Sequence, residues 1–465
     1  MTTELNAGSE TAAVAARLDR LPSCSYLKGL TARIALGGWF EFYEMFMAGY
    51  IALGLVDGGL FTETSRGYFD LTGFASFTGL FFAGMFLSTV LFSRVSDRYG
   101  RRATFTFSML GYSVAAVLVA VSSTPALIDL FRFLAGFAIG IQLITNDTYI
   151  SELAPRPVRG RYMAIGYVVI LTAVPTVALL SWLLVPRSPL GLAGWRWVML
   201  IGAAGGVLVW LVRRGLPESP RWLASRGRVV EAERVLADIE HRVAAQTGPL
   251  PDPAPEPPLP ADSGRGWREI FGRRYGPRTA LLSVFQFAQT IAVYGFANWA
   301  PLLLVKHGFT VVHSLGYSFM IALLTPVGGL AAMLFAERVE RKWQLVLTAV
   351  GIGAFGMLFA EARATVLILI GGAAVTLFNN WLIGIFHSYQ TELFPTRIRA
   401  QAVGFSFSWS RISAIFASYW IADLLAAYGT TGVFTLIAAA MVAIIVSMSI
   451  WGPRTNNRPL EQLSP

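Results

Sequence analysis

The chain is poor in the residues that enzymes and metal proteins rely on. It has one cysteine and four histidines in 465 residues. Cys24 alone excludes an internal disulfide and a cysteine-held metal cluster. There is no H-E-x-x-H pair, no Cys/His cluster and no plausible serine triad in a loop, so an enzyme is not expected and no cofactor is called for. A phosphate-cradling G-x-x-x-x-G-K-S/T loop is also missing, which argues against ATP-driven work. Charge is scarce as well: Asp, Glu, Lys and Arg make up 14% of the chain, against about 25% in an ordinary soluble domain.

What fills the space is apolar. Hydrophobic residues account for 55% of the chain and fall into runs of roughly 20, each long enough to cross a hydrocarbon core. Twelve crossings are expected, at 30–55, 70–93, 103–122, 126–149, 162–185, 195–212, 279–304, 315–336, 343–361, 365–390, 401–426 and 431–451. Pro175, Pro301 and Pro326 lie inside them, as membrane helices tolerate. The first residues are polar, with no apolar core before residue 30, so no cleavable signal peptide is expected. A net charge of +10 does not point to nucleic acid. Thirty of the 37 Lys and Arg fall in the segments that share a side with the N-terminus, and five fall in the alternate loops. That bias places both termini in the cytoplasm of a multi-pass inner-membrane protein.

The only long hydrophilic stretch is central, at 213–278. It holds an amphipathic helical pattern from Val229 to Val243 and then a run too rich in proline to be helical, Pro249 to Pro260. The expected organisation is a tail (1–29), a six-helix bundle (30–212), a flexible linker (213–278), a second bundle (279–452) and a C-terminal tail (453–465).

The two bundles repeat one another. SDRYGRR (Ser96 to Arg102) is echoed by AERVERK (Ala336 to Lys342), and ELAPRPVRGR (Glu152 to Arg161) by ELFPTRIRAQ (Glu392 to Gln401). Asp97 to Glu337 and Glu152 to Glu392 share an offset of 240 residues. Duplicated bundles of this kind carry their binding site where the halves meet. With these loops and PESPR (Pro217 to Arg221), the chain resembles the major facilitator superfamily over residues 30–452, in its sugar-porter, organic-ion and aromatic-acid branches. The resemblance implies an all-α membrane protein of 12 helices in two pseudo-symmetric bundles, working by alternating access as a monomer. It also implies that loop charges lock one facing state. The gating residues so implied are Asp97, Arg98, Gly100, Arg101, Arg102, Glu152, Arg159 and Arg161, with Glu337, Arg338, Glu392 and Arg397 in the second copy. Ser93 stands where the pattern has glycine, and Glu340 replaces the turn glycine of the second copy, so the second lock is expected to be the weaker.

Ionisable residues at bilayer depth cost several kcal/mol unless paired or hydrated, which makes each a functional candidate. Glu41 and Glu44 in GGWFEFYEMF sit three apart on one helical face. Two carboxylates so close in a low-dielectric site do not both ionise readily, which suits a proton carrier. Arg132 begins RFLAGFAIG, whose Gly136 and Gly140 allow close helix contact. In the resembling proton-coupled porters an Arg at this position pairs with an acid in the first span, so a Glu44–Arg132 pair is expected. Arg411 has no acid in its own span before Asp423; it is either an anion site for a substrate carboxylate or the partner of a membrane acid such as Glu41 or Asp147, or of a cytoplasmic-loop acid.

The seventh span keeps one amide, Gln289, with Ala288 and Tyr294 where the sugar-porter pattern has an amide and an Asn. That lining is short of donors for a sugar. Asn379 and Asn380 are adjacent amides at mid-depth and need partners. Tyr43, Trp299 and Trp381 are aromatic candidates for a flatter ligand, and Asn146 with Asp147 a candidate gate or second proton step. The expectation is a proton symporter of a small organic acid, possibly aromatic, whose partners are substrate, protons and lipid. The alternatives are a sugar or polyol importer, an exporter, a uniporter, or a sensor signalling through the linker.

Overall fold

The computed structural model describes residues 12–63, 70–92, 100–213, 215–253, 266–336 and 338–456. Among them the backbone is almost wholly helical. The first bundle contains α2 (Ser25–Asp57), α3 (Phe74–Phe92), α4 (Arg101–Val121), α5 (Pro125–Leu153), α6 (Arg159–Leu171), α7 (Ala173–Leu184) and α8 (Gly194–Arg213). A short helix over residues 12–19, α1, precedes them. Between the bundles run α9 (Pro220–Ser225), α10 (Val229–Thr247) and α11 (Gly266–Ile270). The second bundle contains α12 (Gly276–Ala297), α13 (Ala300–Lys306), α14 (Val311–Ala322), α15 (Leu324–Phe335), α16 (Arg341–Glu361), α17 (Thr365–Glu392) and α18 (Thr396–Trp451). By length and composition, nine helices among the described residues can cross a membrane.

Proline sets where the crossings break. The breaks α6–α7, α12–α13 and α14–α15 fall just before Pro175, Pro301 and Pro326. Each proline lacks an N–H and its ring crowds the carbonyl four residues earlier, at Leu171, Ala297 and Ala322, which are the last residues of α6, α12 and α14. The last two crossings, both within the range given for α18, are two helices that meet directly at Gly429 (φ 63°, ψ −154°), a conformation that suits only glycine.

Glycine also sets how closely helices pack. A Cβ on Gly84 would run into the Phe133 carbonyl, and one on Gly136 into the Phe81 carbonyl. Gly140 meets Met85 and Ser88 in the same way. The α3–α5 approach is therefore closer than any side chain allows, as the spacing of Gly136 and Gly140 leads one to expect.

The described part of the linker before the proline-rich run is packed against the tail. An apolar cluster joins Val14, Leu18 and Leu21 of the tail to Trp222 and Leu223 of α9 and to Leu236, Ile239 and Val243 of α10. Arg17 pairs with Glu240 at 2.6 Å and Glu233 at 2.5 Å, and Arg20 with Glu240 at 2.6 Å. Asp19 accepts from Arg221 at 2.8 Å, from Arg159 at 3.1 Å and from the Arg156 amide at 2.7 Å. Tail, linker and the loop after α5 thus form one packed module. Most of the proline-rich run lies outside the described residues.

Candidate functional site

α2 runs through the middle of the first bundle, buried on nearly every side from Gly37 to Ala52. Its two acids, Glu41 and Glu44, are both buried. Glu44 and Arg132 are both fully buried, and Arg132 Nη1 donates to Glu44 Oε1. Arg132 Nη2 donates to the Glu44 carbonyl at 3.1 Å, so the guanidinium grips side chain and backbone together. Its plane lies over Phe81 (4.1 Å to the ring centre) and Phe77 (4.7 Å), rings of α3 brought close by the glycine packing above. The Tyr112 phenol from α4 stands beside the same carboxylate. Glu41 is also buried but is not bonded to Arg132. A residue not singled out from sequence, Asp129, is buried one turn before Arg132 on α5. Its signal was an acid at i−3 from a mid-membrane arginine, obscured by its nearness to the start of the helix.

Between the halves lies a small cavity of about 40 Å³, room for a few water molecules. Phe46 and Tyr50 of α2 and Val174 of α7 form one side; Phe296, Ser318, Thr325, Thr376, Asn379 and Asn380 face them from the other bundle. Asn379 Oδ1 and Ser318 Oγ are buried without a hydrogen-bond partner, whereas Asn380 donates to the Thr376 carbonyl at 2.8 Å.

Arg411 is buried and is not among the residues that line this cavity. Its described contacts are the Tyr294 hydroxyl at 3.4 Å and the Phe407 ring at 4.6 Å, and neither is a carboxylate. Tyr294 in turn donates to Met45 Sδ at 3.0 Å and packs on Phe46 and Phe82, so it ties Arg411 to the opposite bundle. Gln289 Oε1 is also without a partner. Gln286, one turn earlier, is buried and directed at Gln390 of α17 at 3.5 Å.

Three expected aromatics lie elsewhere. Tyr43 donates to the Val198 carbonyl at 2.9 Å inside the first bundle. Trp381 donates to Gln344 at 3.2 Å and stacks on Phe335 and Phe378 within the second. Trp299 is buried at the seam against Phe74 (5.3 Å), away from the cavity lining. Each is used by packing, because a large ring with one polar atom finds both needs met inside a helix bundle.

Of the expected gate, Asp97, Arg98 and Glu337 lie outside the described residues, as do the side chains of Arg101, Arg102, Arg397, Asn146 and Asp147. Gly100 has φ 95°, and a Cβ there would meet Glu218 Oε2 at 2.5 Å, so the turn needs glycine to admit the carboxylate of PESPR. The second copy differs in a definite way. Glu340, at the glycine position, carries its own carboxylate, which accepts from the Thr455 amide at 2.9 Å and the Asn456 amide at 3.4 Å. The departure also fastens the segment after α18 to the second loop. Arg341 pairs with Glu392 at 3.2 Å, and Arg159 with Asp19 as above. Glu152 is half-buried at the end of α5, and Arg161 and Arg338 are exposed.

On the face opposite the termini the bundles are in contact. Lys306 pairs with Glu63 at 2.5 Å, Gly49 abuts the Asn298 backbone, and Trp182 stacks on Phe319 at 6.0 Å. Toward the face with the termini, the described cross-bundle ring contact is Tyr167 beside exposed His387 at 6.1 Å.

Two helical bundles around a small central cavity, with a buried ion pair in one bundle and, in the other, an arginine with no carboxylate among its described contacts, define a membrane transporter of the major facilitator type. The chain belongs to the "Sugar (and other) transporter" family, whose model matches residues 30–465. It is 30% identical over 447 residues to a putative metabolite transport protein, YyaJ, of Bacillus subtilis (strain 168), with 96% of each chain covered. It is 27% identical over 457 residues to the niacin transporter NiaP of Acinetobacter baylyi, covering 96% of this chain and 98% of that one. Its fold matches the partially occluded inward-open xylose transporter XylE from E. coli with a TM-score of 0.74 at 17% identity, over 94% of this chain and 100% of the other. These relatives are membrane transporters, not enzymes.

Proposed function

We propose that this metabolite transporter is a proton symporter of a small aromatic carboxylic acid, importing it across the bacterial inner membrane with both termini in the cytoplasm. The observation that supports the substrate class is Arg411: a buried guanidinium with no carboxylate among its described contacts, linked through Tyr294 to Phe46 of the cavity wall. A flat acid would lay its ring against Phe46, Tyr50 and Phe296, turn its carboxylate to Arg411, and use Asn379, Ser318 or Gln289 for a ring heteroatom. Similarity to a niacin transporter makes nicotinate the first compound to try. The present cavity is too small for it, so binding requires the bundles to part on one side.

Glu44 carries the proton in this reading. Protonation neutralises it, weakens its hold on Arg132 and frees α2 to move against α5; Glu41, one turn toward the termini, is the next acid on the path. Loop charges at Asp97, Arg98, Glu152, Arg159 and their second-copy counterparts gate the cytoplasmic side.

The test is thermal stabilisation of the purified protein by nicotinate, benzoate, xylose and choline at mildly acidic and mildly alkaline pH. A ligand at roughly a hundred times its Kd stabilises by about 2.7 kcal/mol. Stabilisation by the two carboxylates alone, dependent on pH, is the expected result. Stabilisation by xylose or choline alone contradicts the substrate class.

A further inference from the structure

We propose that Asp129 is a second proton site, occupied in the state seen here, and that Arg132 exchanges counter-ions between Glu44 and Asp129. This rests on the proton-coupled reading above and extends it by one residue.

The pocket around Arg132 contains one cation and two acids. Arg132 donates to Glu44 twice, to Oε1 and to the backbone carbonyl, leaving Glu44 Oε2 and Arg132 Nε without partners. Asp129 is buried to 1% exposure, and neither of its carboxylate oxygens has a hydrogen-bond partner. The groups facing it are Ser76 of α3 and Arg132 of α5, with Glu44 of α2 and Tyr112 of α4 beyond the guanidinium. The Ser76 hydroxyl already donates to the Gly73 carbonyl at 2.8 Å and so offers Asp129 an acceptor rather than a donor. An ionised carboxylate accepts only; a protonated one donates. Two negative charges with one positive leave the pocket at minus one, in surroundings where an uncompensated charge is strongly disfavoured. One bound proton neutralises it. Glu44 has the better claim to the guanidinium, so the proton belongs on Asp129.

The order along the membrane gives this proton a use. Asp129 and Ser76 lie near the ends of α5 and α3 on the face opposite the termini, Glu44 and Arg132 lie deeper, and Glu41 is one turn nearer the termini. Residues 129 and 132 are one turn apart, about 4.5 Å of rise. When the proton passes to Glu44, Asp129 becomes the anion and Arg132 turns to it. The pocket keeps zero net charge, and no proton is created or lost in the step.

Infrared spectra of the purified full-length protein test this without a substrate. The wild type is expected to show a protonated-carboxyl band at neutral pH that disappears in Asp129→Asn and persists in Glu44→Gln. A band kept in Asp129→Asn, or no such band in the wild type, overturns the proposal. Thermal unfolding supplies a second reading. Each single variant leaves Arg132 one acid, so the loss of Tm in Glu44→Gln/Asp129→Asn should exceed the sum of the single losses. Additive losses contradict counter-ion exchange. Proton-driven nicotinate accumulation in proteoliposomes separates the two readings: wild type without accumulation but with the Asp129 band removes the symport reading and leaves the proton site.

Discussion

Arg132 and Arg411 show how a buried cation depends on what it is given. Arg132 has two acids and two aromatic faces within reach. Among the described residues Arg411 has a phenol and one ring. The first was legible because a charge at bilayer depth demands a partner, and the resemblance to proton-coupled porters implied an acid of the first span, Glu44. Asp129 was not, because four residues into a helix it reads as an end residue; only the packing of α3 shows it to be enclosed. Arg411→Ala should weaken carboxylate binding about ten- to a hundredfold, since a charge-assisted hydrogen bond is worth about 1.5–3 kcal/mol. Calorimetric titration with nicotinate checks this, and unchanged affinity removes Arg411 from the site. Arg411→Lys should recover only part of the loss, because an ammonium cannot match the fork of a guanidinium.

Helices here are placed by their exceptions. Prolines were visible as tolerated residues, yet their effect is sharper than tolerance: each ends a helix at the residue whose carbonyl its ring would meet. Glycines at 84, 136 and 140 decide how α3 approaches α5, and so where the Phe77 and Phe81 rings lie against Arg132. Gly136→Leu should lower stability by about 1–3 kcal/mol through overpacking, read as a fall in Tm. The docking of α1 on α10 was not foreseen, because Val14, Leu18 and Leu21 form too short a stripe to stand out beside twelve apolar spans. That contact has its own pH response. Burial raises the Glu240 carboxyl, but hydrogen bonds from Arg17 and Arg20 outweigh it and hold the group below the usual carboxylate range, 4.5. A group lowered on folding contributes fully above its ordinary value and loses that contribution as pH falls through its folded value. Acidification below about pH 4 should therefore loosen α1 first, seen as faster amide hydrogen exchange over residues 12–20 than in the bundle core.

The twofold build of the molecule was plain in the shared offset of 240 residues, since a repeat leaves its mark on loops as well as spans. Which face is closed was not, because closure depends on how two curved surfaces fit: Gly49 against Asn298, Phe74 against Trp299, Glu63 with Lys306. Linking cysteines at positions 63 and 306, in a Cys24→Ser background, should abolish net transport while nicotinate still binds from the face with the termini. Transport that survives the link contradicts closure on that face. The central claim is that the Glu44–Arg132 pair couples substrate to protons. Its most direct test is nicotinate uptake into proteoliposomes under an imposed proton gradient, comparing wild type with Glu44→Gln. The account predicts uphill accumulation by wild type, abolished by an uncoupler, and a variant that exchanges nicotinate across the membrane but no longer concentrates it. Accumulation by Glu44→Gln equal to wild type would contradict it.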